Sequence, residues 1–306
     1  MQLRYINFVS TLLNVRLLRI FLLIRSAYTV IKLRLPVRYA PFNLLPLLDW
    51  VEVPNKPQQK SCDSRLTEKV DVVVSLYRFD KYKDVLKSSI NSCLNNQLIT
   101  FHFVLVSATA AEREWLEEVI GKSHHKMYVS DERIGIYKAW NMAIQGGVGK
   151  YITNLNADDL RLPHSICNQA AALDLESADG SFGNFVLSGD ILSFLKSPNS
   201  RLLVSKLGEL NETKLVMGSQ NLMHCAPMWK RELHNRVGFF DSKLESCGDN
   251  DFWLRCLEQG AHFVPYAPVT AVYFHNPEGL SSSISSVGRK EWASIRDAFL
   301  RRKILG

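Results

Sequence analysis

No acidic residue precedes Asp49 in this chain of 306 residues. Seven basic residues do: Arg4, Arg16, Arg19, Arg25, Lys32, Arg34 and Arg38. The remainder holds 30 basic and 30 acidic residues, so the net charge of +7 belongs to the N-terminal segment. A folded domain that grips nucleic acid carries a basic stripe. The body has none, which excludes a nucleic-acid partner. Long apolar runs are also missing near the N-terminus. The longest is Ile20 to Ile24, far below the roughly 20 residues of a spanning helix. No small-residue cleavage site follows an apolar core, so an ordinary signal peptide is excluded. None of the six cysteines forms a CxxC pair, which argues against a zinc or redox motif. Cys167, Cys225 and Cys256 have apolar neighbours and read as core residues, which suits a reducing cytoplasm. Low-complexity tracts and internal repeats are absent, so neither disorder nor a solenoid is indicated.

The N-terminal segment has helical spacing from about Val9 to Leu33, with arginines between the apolar positions. Such a helix lies in an anionic membrane interface or packs on a protein surface. The unbalanced arginines favour the membrane. The expected location is therefore cytoplasmic, with peripheral contact at the inner face of the membrane. Prolines from Pro36 to Pro57 break any longer helix, and Asn55 to Ser64 reads as a linker. The expected division is an extension and linker over 1–60 and one domain over 61–306, ending in a basic amphipathic helix from Arg289 to Leu305.

That domain opens with Val70 to Leu76, a β-branched run suited to a buried parallel strand. Helical spacing follows from Asp80 to Leu94. Further strands are expected at Phe101–Val106, Lys126–Val129 and Tyr151–Leu155, with helices at Ala110–Ile120 and Ile134–Ile144 between them. Alternating strands and helices make an α/β fold: a Rossmann-type, mostly parallel sheet flanked by helices. Later strands are expected at Phe185–Leu187, Ile191–Leu195 and Val269–Phe274, and a helix at Asp249–Glu258.

The chemistry concentrates where Tyr151–Leu155 runs into Asn156-Ala157-Asp158-Asp159. Open α/β sheets bind ligands at the carboxyl edge of their strands. Mg²⁺ or Mn²⁺ is commonly held there by one or two carboxylates plus phosphate oxygens. A dication in that place offsets charge on a departing diphosphate. The plainer reading of Asp-Asp is a loop that caps the following helix. Farther along, Asp249 and Asp251 flank Asn250 near a helix start. They offer a general base for a hydroxyl acceptor, or else simply complement the helix dipole. His124-His125 lacks ligand spacing, and Trp140 and Trp229 read as packing residues.

The stretch Arg133-Ile-Gly135-Ile-Tyr137-Lys-Ala-Trp-Asn141, followed by Gly149-Lys-Tyr-Ile-Thr-Asn-Leu-Asn-Ala-Asp158-Asp159, resembles the family 2 glycosyltransferases of the GT-A fold. The resemblance extends from about Val70 to Ser283, through Cys225–Lys230, Gly238-Phe-Phe-Asp241 and Gly248–Arg255. It implies a nucleotide-diphosphate sugar donor, a divalent metal, and a saccharide or lipid-linked saccharide acceptor. Ser75 and Tyr77 would contact the donor, with Tyr77 stacked on its base. Arg133 would lie near the nucleotide. Asn156 and Asp158 would match the family's Asp-x-Asp, and the metal would fall to Asp158 or Asp159, with His275 as a further ligand. Asp249 would be the catalytic base. Asp251, Trp253 and Arg255 would shape the acceptor side. Three departures bear on donor preference. Val106-Ser-Ala-Thr109 lacks the acidic pair that many members carry, Lys138 replaces an aspartate, and Arg78 replaces an asparagine.

Other classes fare less well. A sugar-1-phosphate nucleotidyltransferase needs a glycine-rich loop after the first strand, and Ser75-Leu-Tyr-Arg-Phe-Asp80 contains no glycine. A non-catalytic sugar-binding relative, or a membrane-attached interaction module, leaves the carboxylates unexplained.

Overall fold

A computed structural model describes residues 49–54, 66–92, 96–121, 123–162, 165–188, 201–206, 210–217, 223, 225–274 and 287–305. The expected N-terminal helix, the Asn55–Ser64 linker, the Ile191–Leu195 strand and His275 lie outside them.

Ten strands form one sheet. In chain order, β1 is Asp49–Pro54, β2 Val70–Leu76, β3 Ile99–Val106, β4 His125–Ser130 and β5 Tyr151–Asn154. β6 is Leu160–Arg161, β7 Gly180–Ser188, β8 Arg201–Lys206, β9 Met228–Lys230 and β10 Phe263–Phe274. The helices are α1 Lys83–Asn91, α2 Ala110–Ile120, α3 Ile136–Gly146, α4 Ser165–Leu175, α5 Glu212–Met217, α6 Glu232–Val237, α7 Gly248–Glu258 and α8 Val287–Leu305. The sheet order is β1-β8-β7-β9-β5-β2-β3-β4, with β10 joined to β7 and β6. β4, β3, β2 and β5 pair in parallel, and β7 pairs in parallel with β10. β9 runs antiparallel between β5 and β7. The architecture is α/β with a mostly parallel sheet, as the strand and helix alternation predicts.

Pleating sorts the apolar residues of β2 between two cores. Val70, Val72, Val74 and Leu76 join Leu86 of α1, Leu116 of α2 and Ile166 of α4. Val73 faces the other way, into a cluster with Trp140 of α3, Phe252 and Trp253 of α7, and Trp292 and Phe299 of α8. Both faces of the strand are covered, so nearly every residue of β2 is buried.

β1 was counted with the extension, yet it pairs antiparallel with β8 along its whole length. Near the amino ends of the parallel strands, buried Asp71 accepts from Gly149 N at 2.7 Å and meets His102 Nε2 at 3.0 Å and the Arg231 guanidinium. Burial works to raise the Asp71 pKa, but these bonds and the charges of His102 and Arg231 hold it below its ordinary value. Cys225, Cys247 and Cys256 are free and buried. Cys167 is buried in the core, as expected, and is disulfide-bonded, which is uncommon in the reducing compartment that cysteine usage suggested.

Candidate active site at the carboxyl edge of the sheet

β2 and β5 are parallel neighbours, in register from Val70 opposite Tyr151 to Val73 opposite Asn154. Leu155 N donates to Val73 O at 2.9 Å and prolongs the pairing by one bond. The loops after the two strands therefore leave the sheet at the same edge.

The first loop carries Tyr77, which is 37% exposed. The Arg78 guanidinium lies 5.2 Å from the ring centre and that of Arg133 5.4 Å, both within cation–π range. Arg78 has φ of +48°. A side chain in that region costs roughly 1–3 kcal/mol and marks functional turns when it persists. Phe79 is wholly buried and anchors the loop. Its N–H donates to Glu112 Oε1 at 3.2 Å, while Glu112 Oε2 accepts from Thr109 N at 2.9 Å. Glu112 thus caps α2 and tethers the loop. Sequence reading missed this residue, although Thr109-x-x-Glu112 is a recognisable capping box.

The second loop separates the paired carboxylates. Asp158 is half-buried and Asp159 is buried. Asp159 Oδ2 accepts from Asn156 Nδ2 at 2.9 Å, and Oδ1 accepts from Phe274 N at 3.2 Å. Asp159 therefore bolts its own loop to the last residue of β10, one position before His275. Ser89 of α1 donates to Asp159 O at 3.3 Å and accepts from Arg161 N at 2.9 Å. Burial pushes the Asp159 carboxyl well above its ordinary pKa, and the charge of Asp158 pushes the same way. Burial raises Asp158 too, against the opposing charge of Lys81. Among the described residues no three His, Cys, Asp or Glu side chains converge to hold a metal.

Asp249 stands in the first turn of α7. Its Oδ1 lies 3.1 Å from the Tyr137 hydroxyl and accepts from Asn250 N at 2.8 Å. Tyr137 belongs to the first turn of α3, the helix that follows Arg133. Arg133 meets Tyr77, and Tyr137, four residues farther along the chain, meets Asp249.

The three acceptor-side residues part company. Trp253 is 1% exposed and packs edge-on against Trp229 at 5.3 Å and Phe263 at 5.8 Å. It is a core residue, so any part it has on the acceptor side is through packing. Arg255 is committed as well. It pairs with Asp251 at 2.8 Å and donates to the carbonyls of Phe239, at 2.9 Å, and Val237. Its role is to fasten the 237–239 turn to α7. Trp140 and Trp229 are buried, as packing residues are.

The family model described as Glycosyl transferase family 2 matches residues 71–235. A glycosyltransferase of Rickettsia conorii, itself uncharacterised, is 25% identical over 224 residues, 71% of this chain but 36% of its own length. An O-antigen biosynthesis glycosyltransferase of Escherichia coli is 24% identical over 211 residues, covering 64% of this chain and 74% of that one. Among solved structures, a mannosyltransferase from Pyrobaculum calidifontis, in complex with GDP-mannose and Mn²⁺, superposes with a TM-score of 0.57 at 16% identity. It covers 93% of this chain and 76% of that one. At that identity the likeness shows the fold alone. Asp249 falls beyond the family match.

Proposed function

Since the chain belongs to glycosyltransferase family 2, we propose that it moves a sugar, with inversion, from a nucleotide-diphosphate donor to a hydroxyl acceptor. The product is a polysaccharide or glycoconjugate, a reading supported by the Escherichia coli relative named for O-antigen biosynthesis. The observation that carries the reading is the division of labour in Asp158-Asp159. One carboxylate is bound into the fold and the other stays half-open, at the strand edge that also presents Tyr77.

Tyr77, between two guanidiniums, gives a flat platform for the donor base. Ser75, Arg133 and Asn156 line the nucleotide side. Asp158 holds Mn²⁺ or Mg²⁺ with the diphosphate, and Asp159 sets the loop. His275, next in the chain after the residue bonded to Asp159, is a further ligand. The metal supplies charge stabilisation to the leaving diphosphate. Asp249 takes the proton of the acceptor hydroxyl as its oxygen bonds to the anomeric carbon and the bond from that carbon to the phosphate oxygen breaks. Asp251 shapes the acceptor side through its hold on Arg255.

The test pairs two isosteric variants in assays with a panel of nucleotide sugars. Asp158→Asn should remove Mn²⁺-dependent donor binding in calorimetry. Asp249→Asn should leave donor affinity within about twofold and lower turnover by about 10²- to 10⁴-fold. Full activity in Asp249→Asn would sink the base assignment. Unchanged Mn²⁺-dependent affinity in Asp158→Asn would sink the metal assignment.

A further inference from the structure

The turn that delivers Asp249 is gripped by two helices outside its own element. From α3, the single O–H of Tyr137 is shared between Ser246 O at 2.7 Å and Asp249 Oδ1 at 3.1 Å. The ring fits because residue 248 is glycine, since a Cβ there would stand 2.6 Å from a ring carbon. From α8, the Glu291 carboxylate takes three consecutive amides. Glu245 N donates to Oε1 at 2.7 Å, and Ser246 N and Cys247 N each donate to Oε2 at 3.0 Å. Cys247 Sγ donates to Gly288 O at 3.0 Å. α8 is itself pinned by Trp292 and Phe299, both in the core. Ser246 is thus held through its N–H by one helix and through its C=O by another. None of the gripping side chain of α8, the turn or Asp249 lies within 71–235.

We propose that Tyr137 and Glu291 form a clamp that positions Asp249 for proton transfer, which makes α8 part of the catalytic apparatus. The proposal rests on Asp249 being the base. A base must keep one rotamer and one place while the acceptor arrives, since a misplacement near 1 Å can cost about 10²-fold. A three-amide carboxylate contact fixes the backbone of the turn, and the phenol fixes the side chain. Burial raises the Tyr137 pKa well above 10, so the phenol stays a proton donor at working pH. Among the described residues, the titratable groups in or against this turn include Glu245 and Cys247, within it, and Glu291. A hydrogen bond donated to a carboxylate favours the charged form. Losing it raises the carboxylate's pKa.

The test begins without substrate. The Asp249 carboxyl is titrated by ¹³C NMR in the wild type and in Tyr137→Phe, with Asp249→Asn to assign the resonance. The midpoint should rise by about half a pH unit or more in the variant, and equal midpoints overturn the clamp. Kinetics follow with UDP-N-acetylglucosamine and GDP-mannose in the presence of Mn²⁺. Tyr137→Phe and Glu291→Gln should each lower kcat by about 10-fold, with donor KM unchanged. The acid limb of the pH profile should move upward in Tyr137→Phe alone. The double variant should lose less than the product of the two, because both act on one turn. Lys303→Gln, which loosens an exposed ion pair at the far end of α8, should change nothing. Wild-type kcat in both clamp variants while Asp249→Asn is inactive overturns the clamp and leaves the base. An active Asp249→Asn overturns the base and the clamp with it. Should Tyr137→Phe fail to fold, Glu291→Gln at the edge of the turn decides through the same split of kcat from KM.

Discussion

At the scale of single residues, adjacent positions with the same side chain acquire different work from their surroundings. Asp158 and Asp159 are identical in sequence terms, and the motif alone leaves the metal with either. The fold distinguishes them: Asp159 is buried and accepts from Asn156 and Phe274, while Asp158 stays half-open. The same holds along α7, where the family resemblance implied acceptor-side roles for Trp253 and Arg255. A tryptophan on an amphipathic helix reads alike whether it lines a cleft or fills a core, and only the packing of Trp229 and Phe263 decides. His234 shows how burial sets a charge. Its Nε2 accepts from Trp229 Nε1 at 3.0 Å, and Nδ1 faces Gly238 O at 3.1 Å, so the ring sits neutral in the core. Burial lowers its pKa from 6.5 to about 4. The unfolded chain therefore binds a proton, as pH falls below 6.5, that the folded chain refuses. Stability present above pH 6.5 should drain away between pH 6.5 and 4, by roughly 3 kcal/mol in all. Chemical denaturation across that window, compared with His234→Gln, should show a steeper pH dependence in the wild type. Equal slopes would remove His234 from the account.

At the scale of elements, the strands that build the site were the most legible. β2 is a β-branched run buried on both faces, and β5 leads straight into the carboxylates; period and composition agree at both. The missed elements have physical reasons. β1 follows Pro46 and ends on Pro54, in the proline-punctuated stretch before the expected linker, and it becomes a strand through its pairing with β8, distant in sequence. β10 was expected only from Val269. Its first half contains Pro265 and Pro268, which normally demote a strand. The pairing with β7 shifts register between Tyr266 and Val269 and so accommodates Pro268. The Thr109 and Glu112 capping box yields a prediction at this scale, because the same glutamate serves two elements. Thr109→Ala loses a helix cap and should cost about 1 kcal/mol in urea denaturation. Glu112→Ala also strands the buried Phe79 N–H and should cost about 1–3 kcal/mol more. It should raise donor KM as well, since the Tyr77 loop loses its tether, whereas Thr109→Ala should leave KM alone. Equal KM values in the two variants would confine Glu112 to capping.

At the scale of the whole molecule, charge and fold occupy different parts of the chain. The body from Asp49 onward is balanced, with 30 basic and 30 acidic residues, and the first forty residues hold seven basic groups and no acid. Among the described residues no helix is long and apolar enough to cross a membrane. In the N-terminal segment the longest apolar run is Ile20 to Ile24, so the contact expected of it is interfacial and largely electrostatic. Each arginine or lysine near an anionic surface contributes about 1 kcal/mol, within a Debye length of about 8 Å at physiological salt. Deleting residues 1–46 leaves β1 and its pairing with β8 in place. The truncated protein should therefore keep the turnover of a water-soluble acceptor while losing sedimentation with phosphatidylserine vesicles. The full chain should bind those vesicles at low salt, release at high salt, and ignore vesicles of phosphatidylcholine alone. The basic C-terminal helix sets the competing outcome. Arg302 and Lys303 of α8 are paired with Glu258 and Glu212, so their charge is already answered within the fold. Vesicle binding that survives the deletion would move the contact to that helix and separate the N-terminal segment from the membrane altogether.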